Sequence, residues 1–362
     1  MMVPPKLETH LSLASKTTYN INHIYYLGKV ALHYAVMSGC SKTIESILSE
    51  SLEHHNPKDK KDWTPLHEAA YKGHQKIVKL LLEHENVQHV HSKNKNGYAP
   101  IHEAAREGHD KTIQIFLKND TKVAEKNPED IYGETVMHHA CKKGHDLIVK
   151  AYLDNDKITD KHPKDQHGDT PIHIAAGQGH NNVVKTFLDH KNVIDKLPKN
   201  NIGDTPFHKA ANEGHVEVVE SFINSEVVVL AMSNRFPDKH PKNKYGDTPM
   251  HKAAGQGHFN VVKTFLDNPK VIDKNPKNDS GWTPMHKAAK EGHEKVIETM
   301  LEHDKVLDKE PTDHLGKTPA QFAVDWGHEK IVRMFSQYRV ALEPGSLEYC
   351  KIMARSNSVY YS

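Results

Sequence analysis

Residues 281–301 read GWTPMHKAAKEGHEKVIETML. Thr283 followed by Pro284 opens a helix: threonine is a good N-cap, and proline suits the first helical position, where its missing N–H costs nothing. Small Ala288 and Ala289 let another helix approach closely, and Gly292 stops the run. After the Gly-His turn, Val296, Ile297, Met300 and Leu301 fall at i, i+1, i+4 and i+5, one apolar stripe of a second helix. The stretch is therefore an antiparallel helix pair.

The same pattern recurs. Copies begin DWTPLHEAAYKGH at 62, GYAPIHEAAREGH at 97, GETVMHHACKKGH at 133, GDTPIHIAAGQGH at 168, GDTPFHKAANEGH at 203 and GDTPMHKAAGQGH at 246. Degraded copies, GKVALHYAVMSGC from 28 and GKTPAQFAVDWGH from 316, make nine in all. The threonine or its equivalent falls at 30, 64, 99, 135, 170, 205, 248, 283 and 318, so the step is near 35 except for one of 43. Helices this short do not persist alone in water and must bury their apolar faces on neighbouring repeats. The fold class is an all-α repeat solenoid of stacked helix-turn-helix units with projecting β-turn fingers. Residues 1–23 form an N-terminal extension expected to be disordered, 24–340 the nine repeats, and 341–362 a C-terminal tail.

Between repeats, Asp or Asn stands five residues before every threonine position, and a Gly, or Asp62 in one copy, completes an Asx-type turn. Asn or His closes most second helices, at His84, Asn119, Asn155, His190, Asn268 and His303. Both types favour positive φ, which predicts a left-handed cap there.

Composition bounds the function. Only 36% of residues are apolar, and 48 Lys plus Arg balance 47 Asp plus Glu, so no global field steers the chain to nucleic acid or acidic membrane. Three widely spaced cysteines form no disulfide framework or paired zinc motif, which suits a reducing, intracellular setting, cytoplasmic or nuclear. The longest apolar run is the six-residue VVVLAM at 227–232, too short for a signal peptide or a membrane span.

The pattern TPxHxAAxxGHxxVVxxLL, with DxxGxTP ahead of it, resembles the ankyrin repeat, over roughly residues 24 to 340. The resemblance implies a curved stack whose finger tips and first helices line a concave partner-binding face, with no catalysis and no cofactor. The connectors run about two residues longer than the family's period.

Thirty histidines invite a metal or catalytic reading, but sixteen are repeat letters, eight in the Thr-Pro-x-His position and eight after the glycine. A neutral ring there can bridge backbone and hydroxyl groups of adjacent turns. Zinc needs three or four convergent ligands, and His89 with His91, or His54 with His55, supply pairs at most, so no metal site is expected. Connector lysines recur at 58, 93, 164, 199, 242 and 277, either a solvated stripe or a surface for an acidic partner or an RNA backbone.

On the family's pattern, the outward residues of the first helix are the one after the first histidine and the two before the glycine. With the finger tips, these give the expected partner-binding residues: Glu68, Tyr71, Glu103, Arg106, Tyr132, His139, Lys142, Ile174, Ile202, Lys209, Asn212, Tyr245, Lys252, Lys287 and Lys290. Lys209, Lys252 and Lys287 with Tyr245 suggest a groove for an acidic or amphipathic segment of another protein. No small-molecule substrate and no membrane insertion are expected, and nucleic acid is not an expected partner. Two alternatives stay open. The tail EPGSLEYCKIMARSNSVYYS loosely resembles the start of a SOCS box, with two residues instead of three between Leu347 and Cys350, which would imply a ubiquitin-ligase substrate adaptor. Apolar Tyr25, Tyr26 and Leu27 ahead of the first repeat would fit a fragment of a larger ankyrin-containing protein. The extra residues within 223–241 predict either a longer second helix or a bulging loop.

Overall fold

The computed structural model describes residues 31–49, 56–85, 87–226 and 241–341. These form eighteen helices in nine pairs. The chain falls into two units, residues 1–166 and 167–362. The first holds α1 (Ala31–Ser38), α2 (Ser41–Ser49), α3 (Pro65–Tyr71), α4 (Gln75–Glu83), α5 (Pro100–Arg106), α6 (Asp110–Lys118), α7 (Val136–Lys143) and α8 (Asp146–Asp154). The second holds α9 (Pro171–Gly177), α10 (Asn181–Asp189), α11 (Pro206–Asn212), α12 (Val216–Asn224), α13 (Pro249–Gly255) and α14 (Phe259–Asp267). It continues with α15 (Pro284–Glu291), α16 (Glu294–Glu302), α17 (Pro319–Asp325) and α18 (Glu329–Ala341).

Each core layer is small. In α15 Met285, Ala288 and Ala289 are fully buried, and the second helix α16 adds Val296, Ile297 and Met300, as its spacing predicts. Where layers carry aromatics they stack from repeat to repeat: the Phe207 ring lies 5.3 Å from Phe222 and 5.5 Å from Phe265. No layer is closed by itself, so cohesion between repeats decides whether the unit stands.

Histidine supplies that cohesion. In the first helices the ring Nδ1 accepts the backbone N–H of the capping residue three positions earlier, at 3.1 Å in the Thr170–His173, Thr205–His208 and Thr248–His251 pairs. Because Nδ1 accepts, Nε2 must carry the proton. It donates to a backbone carbonyl of the next finger, His67 to Tyr98, His173 to Asp204, His208 to Asp247 and His251 to Trp282, at 2.8 to 2.9 Å. The second histidine reaches the other way. His109, His215, His258 and His293 donate from Nε2 to the last turn of the preceding first helix, at the carbonyls of Tyr71, Gly177, Asn212 and Gly255. In the second unit the two histidines of the repeats at 203, 246 and 281 thus bond each one forwards and backwards, whereas in the first unit His74 and His102 Nε2 make no such bond.

The fingers are Asx turns. Asn278 Oδ1 accepts the N–H groups of Ser280 and Trp282, and Asn94, Asp130, Asn200, Asn243 and Asp313 do the same in their own turns. Asp62, at φ 59°, takes the left-handed place glycine holds elsewhere. The connector lysines stay at the surface and also tie one finger to the next. Lys93, Lys199, Lys242 and Lys277 each donate to a backbone carbonyl of the next finger, on Glu129, Lys242, Lys277 and Thr312.

The left-handed cap expected at the second helices does not occur. Asn119, Asn155, His190, Asn268 and His303 have φ between −83° and −73° with extended ψ. What they share is an acceptor at similar reach. Asn155 and Asn268 Oδ1 take the N–H two residues on, and His190 and His303 Nδ1 do likewise. A lysine closes the helix instead. In the lengthened connectors Lys126, Lys161, Lys196, Lys274 and Lys309 turn back, each onto two carbonyls at the end of the preceding second helix. The extra connector residues thus position a cationic cap at a helix C-terminus. Burial pushes the Lys274 and Lys309 ammonium groups down to about 8. Lys309→Met should keep the stem's packing and orphan two carbonyls, costing about 1–3 kcal/mol in urea denaturation; an unchanged midpoint would remove the cap from this account.

The eight-residue excess does not lengthen a second helix, since α12 ends at Asn224 with Ser225 extended. The VVVLAM run, residues 1–23, Tyr25 to Leu27 and the SOCS-like tail lie outside the described residues.

Candidate partner-binding face

The face expected to meet a partner is built by the first helices and the finger tips, and in the second unit its lysines are already engaged. Lys209 Nζ lies 2.7 Å from Asp169 Oδ2, Lys252 3.1 Å from Asp204 and Lys287 2.9 Å from Asp247, each aspartate belonging to the preceding repeat. The other carboxylate oxygen of each accepts the amide of Asn200, Asn243 or Asn278 at 2.7 Å. Burial by itself would raise the Asp169 carboxyl; hydrogen bonds from Lys209 and Asn200 outweigh it and hold the group below its ordinary value. The lysines are only 21–32% exposed. They form rungs of a three-step ladder and do not stand free for an acidic partner.

In the first unit the corresponding positions are not outward. Glu68, Glu103 and His139 are buried. Glu103 accepts Asn94 Nδ2 at 3.1 Å and pairs with Arg106 at 3.2 Å, while burial raises its carboxyl. His139 Nε2 faces Asp130 Oδ2 at 3.0 Å, and burial lowers its ring to about 4. Arg106 sits 4.9 Å over the Tyr98 ring, and Lys142 pairs with Glu134 at 3.0 Å. Glu103 and His139 are held by the Asx residue of their own finger, Asn94 and Asp130, and the Tyr98 ring of the preceding repeat packs edge-on against His139 at 4.9 Å.

Other expected residues do reach solvent. Tyr71, Ile202, Tyr132 and Tyr245 are exposed, the last two at 56% and 61%. In the first unit Ile131 shares the tip of Tyr132, and in the second Leu315 is 84% exposed at its own tip. Ile174 and Asn212 are half-buried, and Asn212 donates to Glu213. Lys290 lies 4.8 Å over Trp326 and pairs with Glu291. Beside the lysine rungs the surface alternates: exposed Gln178 and Gln256 follow Gly177 and Gly255, which have no side chain, while exposed Glu213 and Glu291 hold the equivalent place at the ends of α11 and α15.

The aspartates and asparagines of the ladder were not among the residues picked from sequence, yet the chain's own repeats carry the signal. Asp169, Asp204 and Asp247 precede a threonine, and lysine follows the first histidine one repeat later, at 209, 252 and 287. Where Trp282 replaces the aspartate, Phe322 replaces the lysine, and the two rings meet edge to face at 4.9 Å.

Among the described residues no helix is long and apolar enough to cross a membrane. A family model described as ankyrin repeats (three copies) matches in overlapping stretches that run from residues 10–91 to 269–344. Ankyrin repeat domain-containing protein 49 of Bos taurus is 45% identical over 42 residues, which is 12% of this chain and 18% of that protein.

Proposed function

The chain belongs to the ankyrin-repeat family, and from that premise we propose that it is a non-catalytic scaffold or adaptor that holds another protein against its first helices and finger tips. Repeats of this family generally mediate protein–protein interaction. One observation carries the more specific reading: the ladder lysines and most repeat histidines are spent on bonds between repeats, while Tyr132, Ile202, Tyr245 and Leu315 project exposed at the finger tips. Aromatic side chains on a rigid support are the anchors that dominate interface energies.

The partner segment suited to the second unit is extended and mostly uncharged. It would place an apolar residue on Ile202 and Tyr245 and main-chain groups on Gln178 and Gln256. Ladder lysines neutralised by aspartate offer such a segment little net charge, so the contact gains little from electrostatic steering.

Affinity purification of the full chain, repeated with Tyr245→Ala, tests this. Loss of a central aromatic anchor should weaken capture of the bound protein by roughly 30-fold, about 2 kcal/mol, and capture should survive 0.5 M salt. A partner retained equally by the variant, or released by salt alone, would refute this use of the face.

A further inference from the structure

We propose that Asp130, Glu134 and His139 form a binding site for a divalent metal ion of the zinc class. Their ligand atoms converge from the finger and first helix of one repeat in the first unit. His139 Nε2 lies 3.0 Å from Asp130 Oδ2 and 3.8 Å from Glu134 Oε2, and all three ligand atoms fall within 4.8 Å of one another. Ligands held at 2.0–2.2 Å around a tetrahedral ion stand about 3.3 Å apart, so the two measured separations bracket the spacing required. One imidazole nitrogen with two carboxylate oxygens is a donor set for zinc, cobalt or manganese rather than for calcium, and it leaves one position open.

The Asx turn that Asp130 shares with the other fingers fixes one of the ligands. Asp130 spends Oδ1 on the N–H groups of Tyr132 and Glu134, at 2.8 and 2.9 Å, which fixes the carboxylate and turns Oδ2 towards His139. The three side chains are 0%, 14% and 3% exposed, so two carboxylates face each other with little water to screen them.

A second observation points into the same cluster. His102 is oriented like its counterparts, Nδ1 accepting the Ala99 N–H at 3.0 Å, so its Nε2 carries a proton. In six other repeats that Nε2–H donates to the carbonyl just before the next threonine position, which in this repeat would be that of Glu134. Here it is fully buried and makes no bond to Glu134, and only the Pro128 carbonyl, outside good hydrogen-bond geometry, acts on it as an acceptor. The ring stands edge-on to His139 at 5.3 Å. A buried N–H without a well-placed acceptor is costly. A Glu134 carboxylate bound to an ion through one oxygen would offer the other to His102, the outer-shell arrangement common at metal sites.

Binding requires two local changes. The His139 proton moves from Nε2 to Nδ1, so the ring ligates in its neutral form with no net proton change. Lys142, paired with Glu134 at 3.0 Å and 48% exposed, swings into solvent. Lys142 is therefore a competitor for the ion, which gives the site a signature that a chance surface histidine lacks.

The test is a zinc titration of the chelator-stripped full chain by calorimetry, with cobalt(II) absorption as a second reading. One equivalent should bind with a dissociation constant in the micromolar range or below. Glu134→Gln and His139→Gln should each weaken it at least 10-fold, and Lys142→Gln should tighten it. If His139→Gln disturbs the helical circular dichroism, Glu134→Gln at the rim of the cluster decides. No saturable binding at millimolar zinc, or affinity unchanged by Glu134→Gln, would overturn the site.

Discussion

Lowering the pH from 7 to 5 is expected to destabilise each unit by about 4 kcal/mol, well before any carboxylate that stabilises the fold is protonated. The cause is burial of the first-helix histidines as neutral rings, which outweighs the bond to the next finger's carbonyl that by itself favours the charged form. Burial lowers His67, His173 and His208 to about 4 and His102 to about 3, against 6.5 when exposed. A group depressed in the folded state contributes its full stability above its unfolded pKa and loses it as pH falls towards the folded value, so the window is pH 6.5 to about 4. At pH 5 each ring has lost about 1.5 pH units of linkage, roughly 2 kcal/mol; two such first-helix rings lie in each unit, and in the first unit His139, lowered to about 4, adds in the same direction. His286 is also lowered by burial and adds in the same direction in the second unit. Asp169 and Asp247 sit below their ordinary 3.8, so their contribution is lost only in stronger acid. Glu103, raised by burial, opposes the trend in the first unit, which makes the second the cleaner place to look. Urea midpoints at pH 7 and pH 5 measure the effect, and a flat profile across that window would mean the rings are not held neutral.

Gly257→Ala and Gly327→Ala form a matched pair. Both glycines follow a first helix at positive φ, 78° and 76°, so alanine costs about 1 kcal/mol of left-handed strain at either position. Only one of them faces a neighbour. A Cβ on Gly257 would stand 2.6 Å from Nδ1 of His293, the ring that donates to the Gly255 carbonyl, whereas a Cβ on Gly327 meets nothing within 4 Å. Gly257→Ala must displace the ring, lose its backward bond and open the seam between α13 and α15. We expect about 3 kcal/mol or more for Gly257→Ala and about 1 for Gly327→Ala. Equal losses would show that the glycine serves only its own turn.

The helix pairs are legible because their signals are local: Thr-Pro starts a helix, glycine ends it, and Val296 to Leu301 mark one buried stripe. The Asx turns are legible for the same reason. What escaped reading depends on side-chain contacts that form only in the folded stack, some within a repeat and some with its neighbour. Lys287 looks outward on a helical projection, and only the stack places Asp247 across from it. Lys309 looks like connector charge until its reach back to Met300 is seen. Asn155 and His190 suggested backbone conformation, whereas the shared property was a side-chain acceptor. Asp130, Glu134 and His139 lie within ten residues, but a search for close histidine pairs passes over a set that joins a turn to a helix.

The reading of the histidines as bonds between repeats, and not as reactive groups, is tested most directly by imidazole nitrogen NMR on the histidine-labelled chain at pH 6. His67, His173 and His208 should appear as neutral rings protonated on Nε2, because Nδ1 accepts a backbone N–H and Nε2 faces a carbonyl. Rings that are charged at that pH, or that carry the proton on Nδ1, would contradict the account.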